Sequence, residues 1–229
     1  MRNDLFVDGF IEWTVGRWMS EFVNSDTTFL DIGCGDMSLS RYVPHDICYN
    51  AIDVSISEFH LRRLMNHRPD ANLALASVVD IPLGASLVSF VACTQVLEYV
   101  TNIDRALSEI YRISSPDAKI ACSIANGYSS KYLRKGVHRG HVNRWTYVGF
   151  VELMSSYGFR LVEGDRRGVW IPLPRNLGQT SFAFPVAAKD DRLNTVFLFL
   201  FSVDKHSEPR RNTRQPDRPA EDHKTNSDA

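Results

Sequence analysis

Apolar residues near the start of the chain recur at helical spacing. Phe10, Ile11, Val15, Trp18, Met19 and Phe22 predict a helix from Phe10 to Val23, broken by Asn24-Ser25-Asp26. The pattern then changes to short apolar runs bounded by polar or turn residues: Phe29-Leu30, Cys48 to Ile52, Leu73 to Ala76, Leu87 to Cys93 and Lys119 to Ile124. Such runs suit parallel strands buried on both faces. Helical spacing fills the intervals at Ser57 to Met65, at Asp104 to Ile113 with Asp104 as N-cap, and at Thr146 to Tyr157 with Gly158 as the stop. Two more strands, Phe159 to Val162 and Thr195 to Val203, follow without a strong helix between them, which predicts an antiparallel ending. From Lys205 the chain holds no aromatic residue and no Val, Ile, Leu or Met, so residues 205–229 read as a disordered tail.

Strand-helix alternation predicts an α/β fold, a Rossmann-like doubly wound sheet with helices on both faces. At 229 residues the chain has room for one such domain, taken as residues 1–204. The 26 basic and 27 acidic side chains leave a net charge of −1, which gives no support to a nucleic-acid-binding surface. Cys34, Cys48, Cys93 and Cys122 form no C-x-x-C pair and read as reduced core thiols. The opening MRNDLFVDGF carries acids where an export signal is apolar, and the late run Val196 to Phe201 is far shorter than a membrane span. A cytoplasmic protein with no membrane span is the expectation. The oligomeric state is not legible.

The chemistry concentrates in Phe29-Leu30-Asp31-Ile32-Gly33-Cys34-Gly35-Asp36-Met37-Ser38, where a strand should run into a glycine turn and then a helix. Glycines there permit a sharp turn and a close ligand approach. Asp53 ends the next strand, from where a carboxylate can accept two hydrogen bonds from ribose hydroxyls. Dinucleotides and S-adenosyl-L-methionine both fit a glycine turn with a ribose-binding acid. A dinucleotide would set a pyrophosphate over the turn, and Asp31 and Asp36 would repel it. S-adenosylmethionine presents an ammonium instead. Ser38 also stands where the dinucleotide fingerprint has Gly or Ala.

LDIGCG at 30–35, AIDVS at 51–55, DIPL at 80–83, CTQVLEYV at 93–100 and GHVNRWTYVGFVELMSSYGFRLVEG at 140–164 follow one another in a telling order. The chain resembles the class I S-adenosylmethionine-dependent methyltransferases, close to their ubiquinone/menaquinone-type group, over roughly Thr28 to Val203. That resemblance implies a mostly parallel seven-stranded sheet with an antiparallel last strand. It implies that Asp31, Gly33, Cys34, Gly35, Asp53, Val54, Ser77, Val78, Asp80 and Thr94 hold the cofactor. It implies methyl transfer to a small-molecule acceptor, with Tyr99 and His138 at the acceptor and His141 orienting it or acting as base. No metal is implied.

Several positions depart from the family pattern. Met37 stands where the family often has a third glycine. Ser77 aligns with the acid that contacts adenine, Asp80 being the substitute if the loop differs; Ser89 replaces an acid at the start of strand four, and Tyr99 replaces a common His. A catalytically silent cofactor-binding module therefore stands as an alternative, as does an NAD-dependent oxidoreductase. Lys131 to Arg144 carries five basic residues with His138 and His141, so residues 127–145 read as a solvated loop or a substrate lid, less readily as an RNA-binding patch. The first helix, within residues 1–26, reads as a cover, and Trp170 with Pro172 and Pro174 as an ordered loop near the substrate.

Overall fold

The computed structural model describes residues 5–136, 140–172, 181–184 and 186–205. A seven-stranded sheet forms the frame. Its strands are β1 (Phe29–Ile32), β2 (Asn50–Asp53), β3 (Asn72–Leu75), β4 (Val88–Thr94), β5 (Ser114–Ala125), β6 (Phe159–Arg167) and β9 (Val196–Val203). Between β6 and β9, β7 (Val169–Pro172) and β8 (Ser181–Phe184) form a separate antiparallel hairpin. The order in the sheet is β3-β2-β1-β4-β5-β9-β6. The pairs among β1 to β5 are parallel, while β9 runs antiparallel between β5 and β6. This is the expected doubly wound α/β fold with an antiparallel last strand. Every residue of β9, VFLFLFSV, is buried, as befits an interior strand covered on both faces.

Two apolar layers lie on the two faces. On one, α1 (Leu5–Phe22) sets Ile11, Val15, Trp18 and Met19 with Phe29, Tyr49 and Phe90, beside Leu64 of α2 (Glu58–His67). On the other, α3 (Ile103–Ile113) and α5 (Tyr147–Ser156) set Leu107, Ile110, Phe150 and Met154 against Leu30, Ile32, Phe197 and Phe199. Strand alternation sends Leu30 and Ile32 to one layer and Phe29 with Asp31 to the other. The four cysteines are free; Cys34, Cys93 and Cys122 are buried and Cys48 half-buried.

The structure corrects several local expectations. The glycine turn does not run into an α-helix: only a 3-10 helix, Ser38–Tyr42, connects β1 to β2. Met37 before it is left-handed, and Val43 after it is extended ahead of Pro44, which disfavours the helical region in its predecessor. Left-handed backbone costs a non-glycine residue about 1 kcal/mol, whereas full burial of a methionine contributes about 1.5–3 kcal/mol. Met37, 2% exposed, therefore holds a conformation that glycine would adopt more easily. Asp104 is not the cap of α3. Asn102 caps it by accepting the Arg105 N–H, and Asp104 instead accepts the Tyr157 hydroxyl at 2.6 Å. Trp170 and Pro172 lie in β7 rather than in a loop, because Val169 to Pro172 pairs with Ser181 to Phe184; Pro174 lies outside the described residues. Beyond Lys205 the expected tail also lies outside them. Among the described residues no helix is long and apolar enough to cross a membrane.

Candidate active site

From β1 the chain crosses to β2 on one side, while β4 pairs with β1 on the other. The crevice beyond the carboxyl ends of β1 and β4 is the switch point where open α/β sheets bind ligands. Gly33 and Gly35 occupy it with positive φ of 69° and 50°. The N–H groups of Gly33 and Cys34 both donate to the Ile52 carbonyl, at 2.8 and 3.2 Å, which ties the turn to β2. A Cβ on Gly33 would stand 2.2 Å from Val96 Cγ2, so no larger residue fits. A Cβ on Gly35 would have no atom nearer than 3.9 Å, which leaves that face of the turn open to an approaching ligand.

Asp53 joins the turn to the strand end. Its Oδ2 accepts the Gly35 N–H at 2.9 Å and its Oδ1 accepts the Ser55 N–H at 3.0 Å. Each carboxylate oxygen keeps a second lone pair for an incoming hydroxyl. Asp31 lies deeper, 2% exposed, with Oδ2 accepting the Tyr49 hydroxyl at 2.6 Å. Burial pushes its pKa up to about 7; the Tyr49 bond pulls it down, and Asp53 and Asp36 push it up further. Asp31 thus lies buried within electrostatic reach of two further carboxylates, Asp53 and Asp36. A cation there would restore the ionised form of Asp31, and an anion would meet repulsion.

On the adenine side the expected contacts divide. Val54 is exposed beside Asp53, and Thr94 is half-buried at the end of β4. The Ser77 carbonyl accepts the Asp80 N–H at 2.9 Å, and Asp80 is exposed. The side chains of Cys34 and Val78 are buried in the apolar layers, which leaves their main chain beside the crevice. The 77–83 loop is held from α3. Glu109 accepts the Ile81 N–H at 3.0 Å, and Arg112 donates to the carbonyls of Ile81 and Leu83. The hydrogen bonds from Arg112 hold Glu109 down to a pKa of about 2.

Beyond the carboxyl end of β4, the 97–100 turn meets a later segment that docks on it. Asn126 and Trp145 form a bridge, so residues 127–145 leave and return at one point; within them lies α4 (Ser130–Lys135). The N–H groups of Val142 and Asn143 donate to the Glu98 carbonyl, and Asn143 Nδ2 donates to Leu97 and Val100 at 3.0 and 2.6 Å. This docking sets the His141 ring edge-on to Tyr99, 4.7 Å between centroids, with Tyr132 at 6.1 Å. His138 lies outside the described residues. Glu98 is buried, its Oε1 accepting the Ala125 N–H, its Oε2 without a hydrogen-bond partner among the described residues, and burial pushes it up to about 7. The sequence marked Glu98 only by its place, with Tyr99, at the carboxyl end of a strand where such sheets hold ligands, and it marked neither Asn143 nor Glu109. A carboxylate inside an apolar run was the available signal for Glu98, and nothing local marked Asn143. No group of three or more His, Cys, Asp or Glu side chains is placed to hold a metal among the described residues.

Residues 30–122 match the family model described as a methyltransferase domain. The match spans both the glycine turn and the strand end that carries Asp53. Over these residues the chain is similar to a methyltransferase domain. A demethylmenaquinone methyltransferase of Symbiobacterium thermophilum is 30% identical over 134 residues, covering 52% of this chain and 53% of the relative. The chain spans about half the length of the curated relatives it matches. Among solved structures, YcgJ of Bacillus subtilis superposes with a TM-score of 0.66 at 11% identity, over 84% of this chain and 98% of the other. The 1,6-didemethyltoxoflavin-N1-methyltransferase of Burkholderia thailandensis, solved with its substrate and S-adenosylhomocysteine, superposes at 0.61 with 14% identity, over 88% of this chain and 81% of the other. At these identities the superpositions establish the shared fold.

Proposed function

We propose that this methyltransferase domain binds S-adenosyl-L-methionine beneath the Gly33–Gly35 turn and transfers its methyl group to a small-molecule acceptor. One observation carries the reading: the Asp53 carboxylate closes on the Gly35 N–H while Asp31 lies buried under the same turn. That arrangement suits a ribose diol at Asp53 and an ammonium near Asp31, and it disfavours a pyrophosphate. It therefore favours methyl transfer over the NAD-dependent alternative. S-adenosylmethionine supplies an activated methyl group and its own leaving group, so the protein's task is to bind, align and exclude water.

Gly33, Gly35 and the main chain at Cys34 shape the turn. Val54, the main chain at Val78 and the Ser77–Asp80 loop stand where the adenine side would lie, with Thr94 at the strand end between the two halves. Tyr99 and His141 form the acceptor-facing shelf, and residues 127–145 act as its cover. For an acceptor whose nucleophile must lose a proton, His141 is the base we assign, since an imidazole titrates close to neutral pH. Calorimetric titration with S-adenosylmethionine and its demethylated product tests the cofactor reading; no saturable heat at high micromolar ligand would defeat it. A methyl mass shift on an acceptor would establish transfer, and binding without turnover across a broad panel would favour the silent module.

A further inference from the structure

The short connection between β1 and β2 has a consequence away from the glycine crevice. Where a full helix would cover the sheet, a cavity of about 440 Å³ opens between the Ser38–Tyr42 turn and α2. That volume lies within the range of small-molecule sites, roughly 300–1,000 Å³. Ser38, Ser40, Arg41, His45, Arg63 and His67 face it. The Ser38 and Ser40 hydroxyls and the two imidazoles have no hydrogen-bond partner among the described residues.

The cations around this cavity are held largely by main-chain carbonyls. Arg63 Nη2 donates to the Asp36 carbonyl at 3.0 Å and has no carboxylate within ion-pair distance among the described residues. Arg41 Nε donates to the Ser38 carbonyl at 2.9 Å, with Glu12 at 3.5 Å. At the back, Arg68 is 2% exposed and donates to the carbonyls of Ser40, Val43 and Ile47, with Asp70 at its edge. A carbonyl fixes a guanidinium without cancelling its charge. Glu12 and Asp70 offset Arg41 and Arg68 in part, and Asp36 on the wall remains a repulsive charge for an anion, set against the guanidiniums of Arg41, Arg63 and Arg68 in the same lining. Arg63, His45 and His67 line the cavity without a carboxylate at ion-pair distance among the described residues, Asp70 acting on His45 from farther off.

We propose that this cavity binds a small phosphate-bearing molecule at a site distinct from the cofactor crevice. A phosphate group offers several anionic acceptor oxygens to the guanidinium and imidazole donors at once, which matches this lining better than a neutral or cationic ligand does. The concave shape and limited volume favour a small molecule over a polymer backbone. The test is calorimetric titration of the full chain with inorganic pyrophosphate at constant ionic strength. Phosphatidylglycerol vesicles and a single-stranded RNA form separate arms. Saturable pyrophosphate binding is expected, weakened at least tenfold in the Arg63→Ala/His67→Ala double variant, with thermal unfolding unchanged. The proposal is overturned by no saturable heat, by equal affinity in the variant, or by vesicles or RNA binding more tightly through the same residues. A parallel S-adenosylmethionine titration keeps the two readings apart, because neither variant residue belongs to the glycine turn.

Discussion

The Asp53 carboxylate accepts the Gly35 N–H at 2.9 Å, so the end of one strand and the turn after its neighbour form a single unit. Asp53 cannot shift without the turn shifting with it. Asp53→Ala should weaken S-adenosylmethionine binding by about 1.5–3 kcal/mol, the range for charge-assisted hydrogen bonds. The circular dichroism spectrum should be retained. Calorimetry on the folded variant decides the matter, and an unchanged affinity would remove Asp53 from the site.

Gly33 and Gly35 should fail in different ways. Gly33→Ala forces a Cβ to within 2.2 Å of Val96 Cγ2 at a φ of 69°, so the folded state itself should lose on the order of 2–4 kcal/mol. Gly35→Ala meets open space and should cost the fold only about 1 kcal/mol, while its methyl group obstructs the cofactor's approach. Thermal unfolding and cofactor titration of the two variants separate these effects. Equal losses of stability in both would contradict the geometry.

Buried Asp31 and Glu98 each titrate near pH 7 in the folded chain, against about 4 when unfolded. The folded state then keeps protons that the unfolded chain has released. Their stabilisation is complete below about pH 4 and fades as pH rises through about 7, by at most ~1.4 kcal/mol per pH unit for each group. Asp31→Asn should flatten part of this slope and raise stability at about pH 8. Cofactor affinity should run the other way. An ammonium favours the ionised carboxylate, so binding should tighten from about pH 6 to 8 in the parent chain and lose that dependence in the variant. Denaturant unfolding and calorimetry across this interval measure both, and parallel curves for parent and variant would refute the assignment.

Asn143 fastens its segment through three hydrogen bonds to the 97–100 turn. Asn143→Ala removes the two side-chain bonds, worth about 2 kcal/mol together. The segment carrying His141 should become more sensitive to limited proteolysis, with cofactor affinity within twofold of the parent. The His141 imidazole signal should shift in NMR spectra as its contact with Tyr99 loosens. Protection and signal identical to the parent would show that Asn143 does not position the shelf.

Much of this arrangement was legible along the chain, because its signals are local. Short apolar runs marked β1, β2, β4 and β9, and the positions of Gly33, Gly35 and Asp53 relative to those runs placed the crevice before any coordinates. The helix expected after the glycine turn failed because Met37 and Pro44 together leave room for only a 3-10 turn. Asp104 looked like a cap, but the helix begins at Ile103, so Asp104 lies inside its first turn and the Asn102 side chain takes the Arg105 N–H instead.

Side-chain periodicity and glycine placement are properties of neighbouring residues, so the amino-acid sequence by itself determined the doubly wound sheet, the turn and the acids around it. Contacts between distant segments are not. Only the tertiary structure decided that Tyr49 locks Asp31, that Asn143 docks on the 97–100 turn, that Glu98 is buried with one oxygen unpartnered among the described residues, and that a basic cavity opens beside α2. Each joins residues well separated along the chain, and their distances and desolvation exist only once the layers have packed.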